Sequence, residues 1–303
     1  MNKLLIICLL LFPVVAYSQQ TFKIEDAQTG EPVPFASVII YHSGDVQGQY
    51  TDESGLTKLA NALKPDSIVF SCLGYKVKAI TSNITDPVTN IQLYPSPTQI
   101  KEIEIKPRHE KLIGHTRKSI WDNSNCAPPG EYYTTYVANT GKTQNALIQS
   151  VIFRFNYGGC GKISDLADSL TDVFRVHLYN VDIITNKPAD EILNDNVLAH
   201  ITGQTAELIE VDISKYNIAM PRNGIFIGCE LIGAFYNKHE IKDREGKSVF
   251  YHKVAIYDLL NPVDRVNPLK HKTFSYTKLP IHGFNNWEER NNKIYKFGLK
   301  IRY

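Results

Sequence analysis

The chain lacks a dominant charge. It carries 33 Lys and Arg against 31 Asp and Glu, a formal net charge of +2, and no run of five basic residues. The electrostatic footprint of a nucleic-acid-binding protein is therefore missing. Methionine and tryptophan are scarce, at two each. After the N-terminal segment, no stretch is apolar enough for the ~20 residues of a membrane-spanning helix. HExxH, CxxC, paired Cys/His spacings, GxSxG, a P-loop and a dinucleotide-binding glycine fingerprint are all absent. With them go the recognisable zinc, serine-hydrolase and nucleotide chemistries. The sequence nominates no catalytic, cofactor-binding or metal-ligating residue, and no cofactor is expected.

Cysteine is also sparse, five in all. Cys8 lies within the apolar run 4–16, which follows Lys3 and precedes Ala16-Tyr17-Ser18. A basic start, a short apolar core and small residues at the −3 and −1 positions read as a signal peptide over residues 1–18, leaving Gln19 as the mature start. The run is too short to cross about 30 Å of hydrocarbon as a helix. The expected location is the periplasm, outer membrane or surface of a Gram-negative bacterium. Export leaves Cys72, Cys126, Cys160 and Cys229, which permit disulfides in an oxidising compartment. Cys160 with Cys126 or with Cys229 is the expected pair. Cys72 shares strand parity with Ile68 and Phe70 and is expected as a small buried hydrophobe.

What is abundant is β-forming: 17 Tyr and 13 Phe in a chain that is 43% hydrophobic and 21% charged. From Thr21, short alternating strands are separated by turns. Thr21-Phe22-Lys23-Ile24 precedes an Asp, Gly and Pro turn over 26–32. A strand over 34–41, a turn at Thr51-Asp52-Glu53-Ser54-Gly55, and strands over 66–72 and 90–94 follow. Gly55 sits where φ > 0 is needed. This spacing predicts a Greek-key sandwich with Phe35, Val38, Ile68, Phe70 and Leu93 in its core.

Three ordered motifs carry a resemblance. Thr29-Gly30-Glu31-Pro32-Val33-Pro34-Phe35-Ala36-Ser37-Val38, then Thr51-Asp52-Glu53-Ser54-Gly55, then Ile68-Val69-Phe70-Ser71 with Leu73-Gly74-Tyr75-Lys76, resemble the carboxypeptidase-like regulatory domain. That module also precedes many TonB-dependent transporters. The resemblance implies an Ig-like or transthyretin-like fold over residues 19–95, with turn glycines and core aromatics but no peptidase zinc ligands. Tyr75 is expected to pack at a corner of that core.

Pro95-Ser96-Pro97 opens a linker over 96–110, in which Ile100, Ile103 and Ile105 suggest one short strand. Residues 111–303 read as a second, larger all-β domain. Strands are expected over 147–157, 173–179 and 208–213. A nearly continuous apolar run over 224–232 predicts a buried central strand. Alternation of Tyr295, Phe297, Leu299, Ile301 and Tyr303 with polar or small residues predicts a half-buried last strand. The order of these segments is similar to jelly-roll modules of carbohydrate-binding type, implying a β-sandwich. An outer-membrane barrel of about eight to ten strands is the rival. The doubly apolar run at 225–232 argues against it, because a barrel wall needs a polar lumen face.

The chemical candidates are weak singly. His239-Glu240 points two side chains to opposite faces of a strand. Asp165, Asp168 and Asp172 lack the spacing of a calcium loop. Trp121, Tyr132, Tyr133, Tyr136 and Trp287 are the residues that would build a sugar-stacking platform, or else serve as core and edge aromatics. The expected function is an exported, non-enzymatic envelope binding or scaffold protein, with other envelope proteins or glycans as partners. A carbohydrate-binding module and an enzyme of another type are the alternatives. Exposed aromatics on one face favour the former; convergent buried carboxylates or histidine in a cleft favour the latter.

Overall fold

The computed structural model describes residues 20–59, 65–81, 88–96, 109–116, 122–127, 130–140, 143, 146–156, 171–202, 208–232, 241–242, 248–249, 254–259, 275–280, 283–290 and 294–303. They form β-strands joined by turns, with one short 3-10 turn over Ser214–Tyr216 and no α-helix among the described residues.

The first unit comprises β1 (Gln20–Asp26), β2 (Ser37–His42), β3 (Asp45–Tyr50), β4 (Leu56–Leu59), β5 (Ser67–Ser71), β6 (Lys78–Thr81) and β7 (Val88–Leu93). They pair only with one another, as a three-stranded sheet β4-β1-β7 and a four-stranded sheet β3-β2-β5-β6. Period-two alternation puts Phe22, Ile24, Val38, Ile68, Phe70, Ile91 and Leu93 into one buried cluster between the sheets. Asp side chains cap the turns. Asp26 Oδ1 accepts from the Gln28 and Thr29 amides at 2.7 and 3.0 Å, and Asp52 Oδ1 from those of Ser54 and Leu56 at 2.8 and 2.9 Å. Gly55 has φ +70° as the turn requires. Tyr75 packs against the cluster and donates to Asp26 Oδ2 at 3.0 Å.

The second unit adds β8 (Glu110–Gly114), β9 (Asp122–Ala127), β10 (Tyr132–Val137), β11 (Leu147–Phe153), β12 (Phe155–Asn156), β13 (Thr171–Val181), β14 (Pro188–Glu191), β15 (Leu198–Thr202), β16 (Ile209–Asp212), β17 (Ile225–Leu231), β18 (Ile241–Lys242), β19 (Ser248–Val249), β20 (Val254–Leu259), β21 (Ser275–Leu279), β22 (Phe284–Glu289) and β23 (Phe297–Arg302). A seven-stranded sheet, β14-β13-β17-β10-β21-β22 with β15 on β13, faces a four-stranded sheet, β16-β11-β23-β8. Phe174, Val176 and Leu178 of β13 and Ile225, Ile227, Cys229 and Leu231 of β17 meet Ile148, Val151, Phe153, Phe297, Leu299 and Ile301 in the main core. This is a two-layer β-sandwich. The last strand is internal, paired with β11 on one side and β8 on the other.

β17 is the buried central strand expected from its apolar run, with every residue buried. The single strand expected over 147–157 is two. β11 pairs with β16 and β23, β12 pairs with β20, and Arg154 lies at the break, its guanidinium donating to the Thr116 carbonyl. Cys72 and Cys229 are both free, buried thiols. The expected Cys160–Cys229 alternative therefore fails: Cys229 points between the sheets into the apolar core, away from any loop. The Cys126–Cys160 alternative, the signal peptide, the strand around Ile100, Ile103 and Ile105, His239-Glu240, Asp165 and Asp168 lie outside the described residues, as do the Trp121 and Asp172 side chains.

One expected core residue sits elsewhere. Phe35 is buried, but it packs with Tyr50, Val173 and Ile232, against Leu198 and Leu279. Its φ of +56° turns the side chain away from the first unit's core and onto the second unit.

Candidate functional site at the seam of the two units

The inner face of the seven-stranded sheet is apolar; its outer face is not. Register places Arg175 (β13), Glu230 (β17), Tyr132 (β10) and Lys278 (β21) side by side across four strands. The next row is His177, Gly228, Thr134 and Tyr276, and the third begins Tyr179, Phe226, Tyr136. Gly228 leaves a dip in the sheet. A Cβ there would come within 3.0 Å of Thr134 and 3.3 Å of His177.

The first unit covers one half of this face. The Tyr50 hydroxyl donates to Glu230 Oε1 at 2.6 Å, and Arg175 Nη2 donates to the Phe35 carbonyl at 2.6 Å. Asn196 accepts from Arg175 Nε at 2.7 Å and donates to the Pro34 carbonyl at 3.2 Å. Arg175 Nη1 pairs with Glu230 Oε2, and both side chains are within 2% of complete burial. The Phe35–Tyr50–Val173–Ile232 cluster forms the dry part of the seam. Each such buried aromatic contributes about 1.5–3 kcal/mol by area.

Burial alone would raise the Glu230 carboxyl, but Arg175 and the hydrogen bonds from His177 and Tyr50 hold it far below the usual carboxylate range. Burial works against the Arg175 charge too, and Glu230 overrides it. His177 lies between two carboxylates, with Nδ1 2.8 Å from Glu191 Oε2 and Nε2 3.2 Å from Glu230 Oε2. Against the opposing effect of burial, these partners raise its pKa above 6.5. Ionised carboxylates only accept, so both ring nitrogens carry protons in the arrangement that satisfies them.

The other half of the face is a patch of aromatic rings, buried Tyr179 with half-buried Tyr132 and Trp287, around Lys278. Its Nζ is 4.6 Å from the Tyr132 ring, 5.7 Å from Tyr179 and 4.4 Å from Trp287. Trp287 meets Tyr132 and Tyr179 edge-on, with centroids 6.4 and 5.3 Å apart. The His177 ring stacks on Tyr179 at 5.5 Å. Burial lowers the Lys278 pKa, and Glu191 and Glu230 moderate the effect. Tyr132 and Tyr179 are pushed well up, first by burial and then by the neighbouring carboxylates.

Of the aromatic residues read from the sequence, Tyr132, Tyr136 and Trp287 therefore share the outer face. Tyr133 has the opposite parity and is core. The charged residues that organise the face carry little signal in the sequence. One signal was available: Glu230 stands within an otherwise apolar central strand, where a carboxylate demands a buried counter-charge. Among the described residues no group of three or more His, Cys, Asp or Glu is placed to hold a metal ion. No helix among them is long and apolar enough to cross a membrane.

Residues 23–105 match the CarboxypepD_reg-like domain. No curated protein matches the chain. Among solved structures the chain is similar to a candidate carbohydrate-binding protein from Bacteroides uniformis ATCC 8492, at 10% identity over 94% of this chain and 98% of that one, with a TM-score of 0.25. It is also similar to the cysteine protease and lectin-like domains of Cwp84, a surface layer associated protein of Clostridium difficile. There the identity is 9% over 88% of this chain and 58% of that one, with a TM-score of 0.37. A DUF3823 family protein from Parabacteroides merdae ATCC 43184 gives 11% identity over 71% of this chain and 98% of that one, with a TM-score of 0.20.

Proposed function

We propose that this all-β chain, with its CarboxypepD_reg-like first domain, is an exported, non-enzymatic binding protein of the Gram-negative cell envelope. Its ligand site is the aromatic patch around Lys278, beside the seam. The observation that carries the reading is the arrangement of Tyr132, Tyr179 and Trp287 about one cation on the sheet, with Tyr132, Trp287 and Lys278 half-buried beside a buried Tyr179. Aromatic faces with a few fixed polar groups are the usual make-up of a ligand site. The basic start and apolar run of residues 1–18 support export.

The convergence of His177 with two carboxylates supports a structural charge network rather than acid–base catalysis. Both ring nitrogens are committed, and Glu230 is held too acidic to exchange protons near neutrality. Two measurements test the proposal. The mature protein from a Gram-negative host is expected to have the intact mass of a chain starting at Gln19; a mass that retains residues 4–16 refutes export. With Trp121→Phe, the remaining tryptophan is in the patch, and its fluorescence is expected to shift on binding envelope glycans. A Trp287→Ala variant that binds such glycans as tightly as the parent removes the patch as the site.

A further inference from the structure

Resting on that reading, we infer that the patch takes a saccharide bearing a carboxylate, a uronate sugar. Lys278 pairs with the carboxylate, and Trp287 and Tyr132 lie against the C–H face of the ring.

The charges lead to this chemistry. Three cationic side chains, Arg175, Lys278 and protonated His177, stand on the outer face against two carboxylates, Glu191 and Glu230. Glu230 is committed to Arg175, His177 and Tyr50. Glu191 accepts from His177, from the Leu178 amide at 2.7 Å and from the Tyr179 hydroxyl. Lys278 makes cation–π contacts and, among the described residues, no ion pair. One ammonium group is thus left over in a place where burial already penalises it. Lys187, on the rim, brings a second cation, 3.5 Å from the Trp287 carbonyl. Glu289 is the acid of β22 that faces Tyr276, one row further from Lys278.

The alternatives fit less well. A cationic ligand would bring a second positive charge beside the ammonium that already stands over the rings. A neutral sugar would use the rings and leave the ammonium without a partner. A carboxylate on a peptide would satisfy Lys278, and its N–H groups would serve Glu191, but its backbone brings no flat C–H face to Trp287. A uronate supplies both at once, with hydroxyl donors for Glu191 and an anion for Lys278, on a flat apolar face suited to Trp287.

The probes are short oligogalacturonates and oligoglucuronates, their methyl esters (same skeleton, no charge) and a poly-glutamate peptide. Binding to the full mature chain carrying Trp121→Phe is read by calorimetry and by Trp287 fluorescence. At least one acid oligosaccharide is expected to bind about tenfold tighter than its ester, as one partly desolvated ion pair provides, with the advantage shrinking as salt rises. Lys278→Met is expected to remove that advantage, so that acid and ester bind alike, and Lys278→Arg to keep most of it. Equal affinity for acid and ester overturns the inference and leaves the binding-protein reading standing. Binding of poly-glutamate in preference to both sugars also overturns it. If neither acid nor ester binds, and Trp287 does not respond, the inference and the patch fall together.

Discussion

Replacing Arg175 by Met removes a guanidinium that joins both units through buried contacts. It deletes the ion pair to Glu230 and the hydrogen bonds to the Phe35 carbonyl and to Asn196. The Met side chain roughly preserves the volume, so packing contributes little and the charge dominates. Glu230, completely buried, would keep His177, Tyr50 and Tyr132 as partners but no buried counter-charge as close as the guanidinium. Breaking one side of a buried pair costs about 3–5 kcal/mol, and losing the hydrogen bond to the Phe35 carbonyl adds about 1 kcal/mol. The sum is a large fraction of a typical stability of about 5–15 kcal/mol. Urea unfolding followed by circular dichroism and by tryptophan fluorescence measures it. The wild type is expected to unfold with the two units coupled. Arg175→Met is expected to lose about 4 kcal/mol and to separate the transitions, because the seam then loses its ion pair and keeps the Phe35 and Tyr50 contacts and the Asn196 to Pro34 hydrogen bond. Tyr50→Phe is the gentler companion: it removes one hydrogen bond to a charged acceptor, worth about 1.5–3 kcal/mol, with the ion pair left intact. An Arg175→Met protein within about 1 kcal/mol of wild type, with the two signals still coincident, would refute the assignment of the seam to this network.

Stability is also expected to depend on pH with a defined sign. His177 is raised above 6.5, so its contribution is complete below that pH and is lost as pH climbs through the folded-state value. Glu230 is depressed from 4.5, so its contribution is complete above that pH and is lost on acidification. Urea midpoints of the wild type should therefore fall from pH 6 towards 8, a slope that His177→Gln removes; an identical slope in the variant counts against His177 as its source. In the first unit, a Cβ on Gly55 would lie 2.5 Å from the Ile24 carbonyl oxygen at φ +70°, whereas Gly30, at φ +75°, has nothing within 4 Å. Gly55→Ala should cost about 2 kcal/mol or more and Gly30→Ala about 1 kcal/mol. Equal losses in equilibrium unfolding would mean that the backbone angle alone matters there.

What could be read from residue order was local: period, parity and turn chemistry. Alternation marked β1, β5, β7 and β23, the Asp and Gly turns marked their ends, and the doubly apolar run marked β17 as central, because a strand covered on both faces needs no polar side. The short strands β3, β4 and β6 carry no such mark. Four to six residues, such as Asp45-Val46-Gln47-Gly48-Gln49-Tyr50, carry too few apolar positions to declare a period, and they are strands only because β2, β1 and β5 offer them hydrogen bonds. Parity told that Tyr132 and Tyr133 point to opposite faces, but not which face would be core. That was decided by the sheet of β11 and β23 packing on one side and by the first unit docking on the other. Phe35 looked like a core residue of its own unit and became an anchor in its neighbour, once a left-handed backbone turned it outward. The charge network is the extreme case. Arg175, Glu230 and Tyr50 are spread over 180 residues of chain, and each alone is an ordinary residue. A buried charge is tolerable only where tertiary packing delivers its partner, and sequence neighbours hold no record of that delivery.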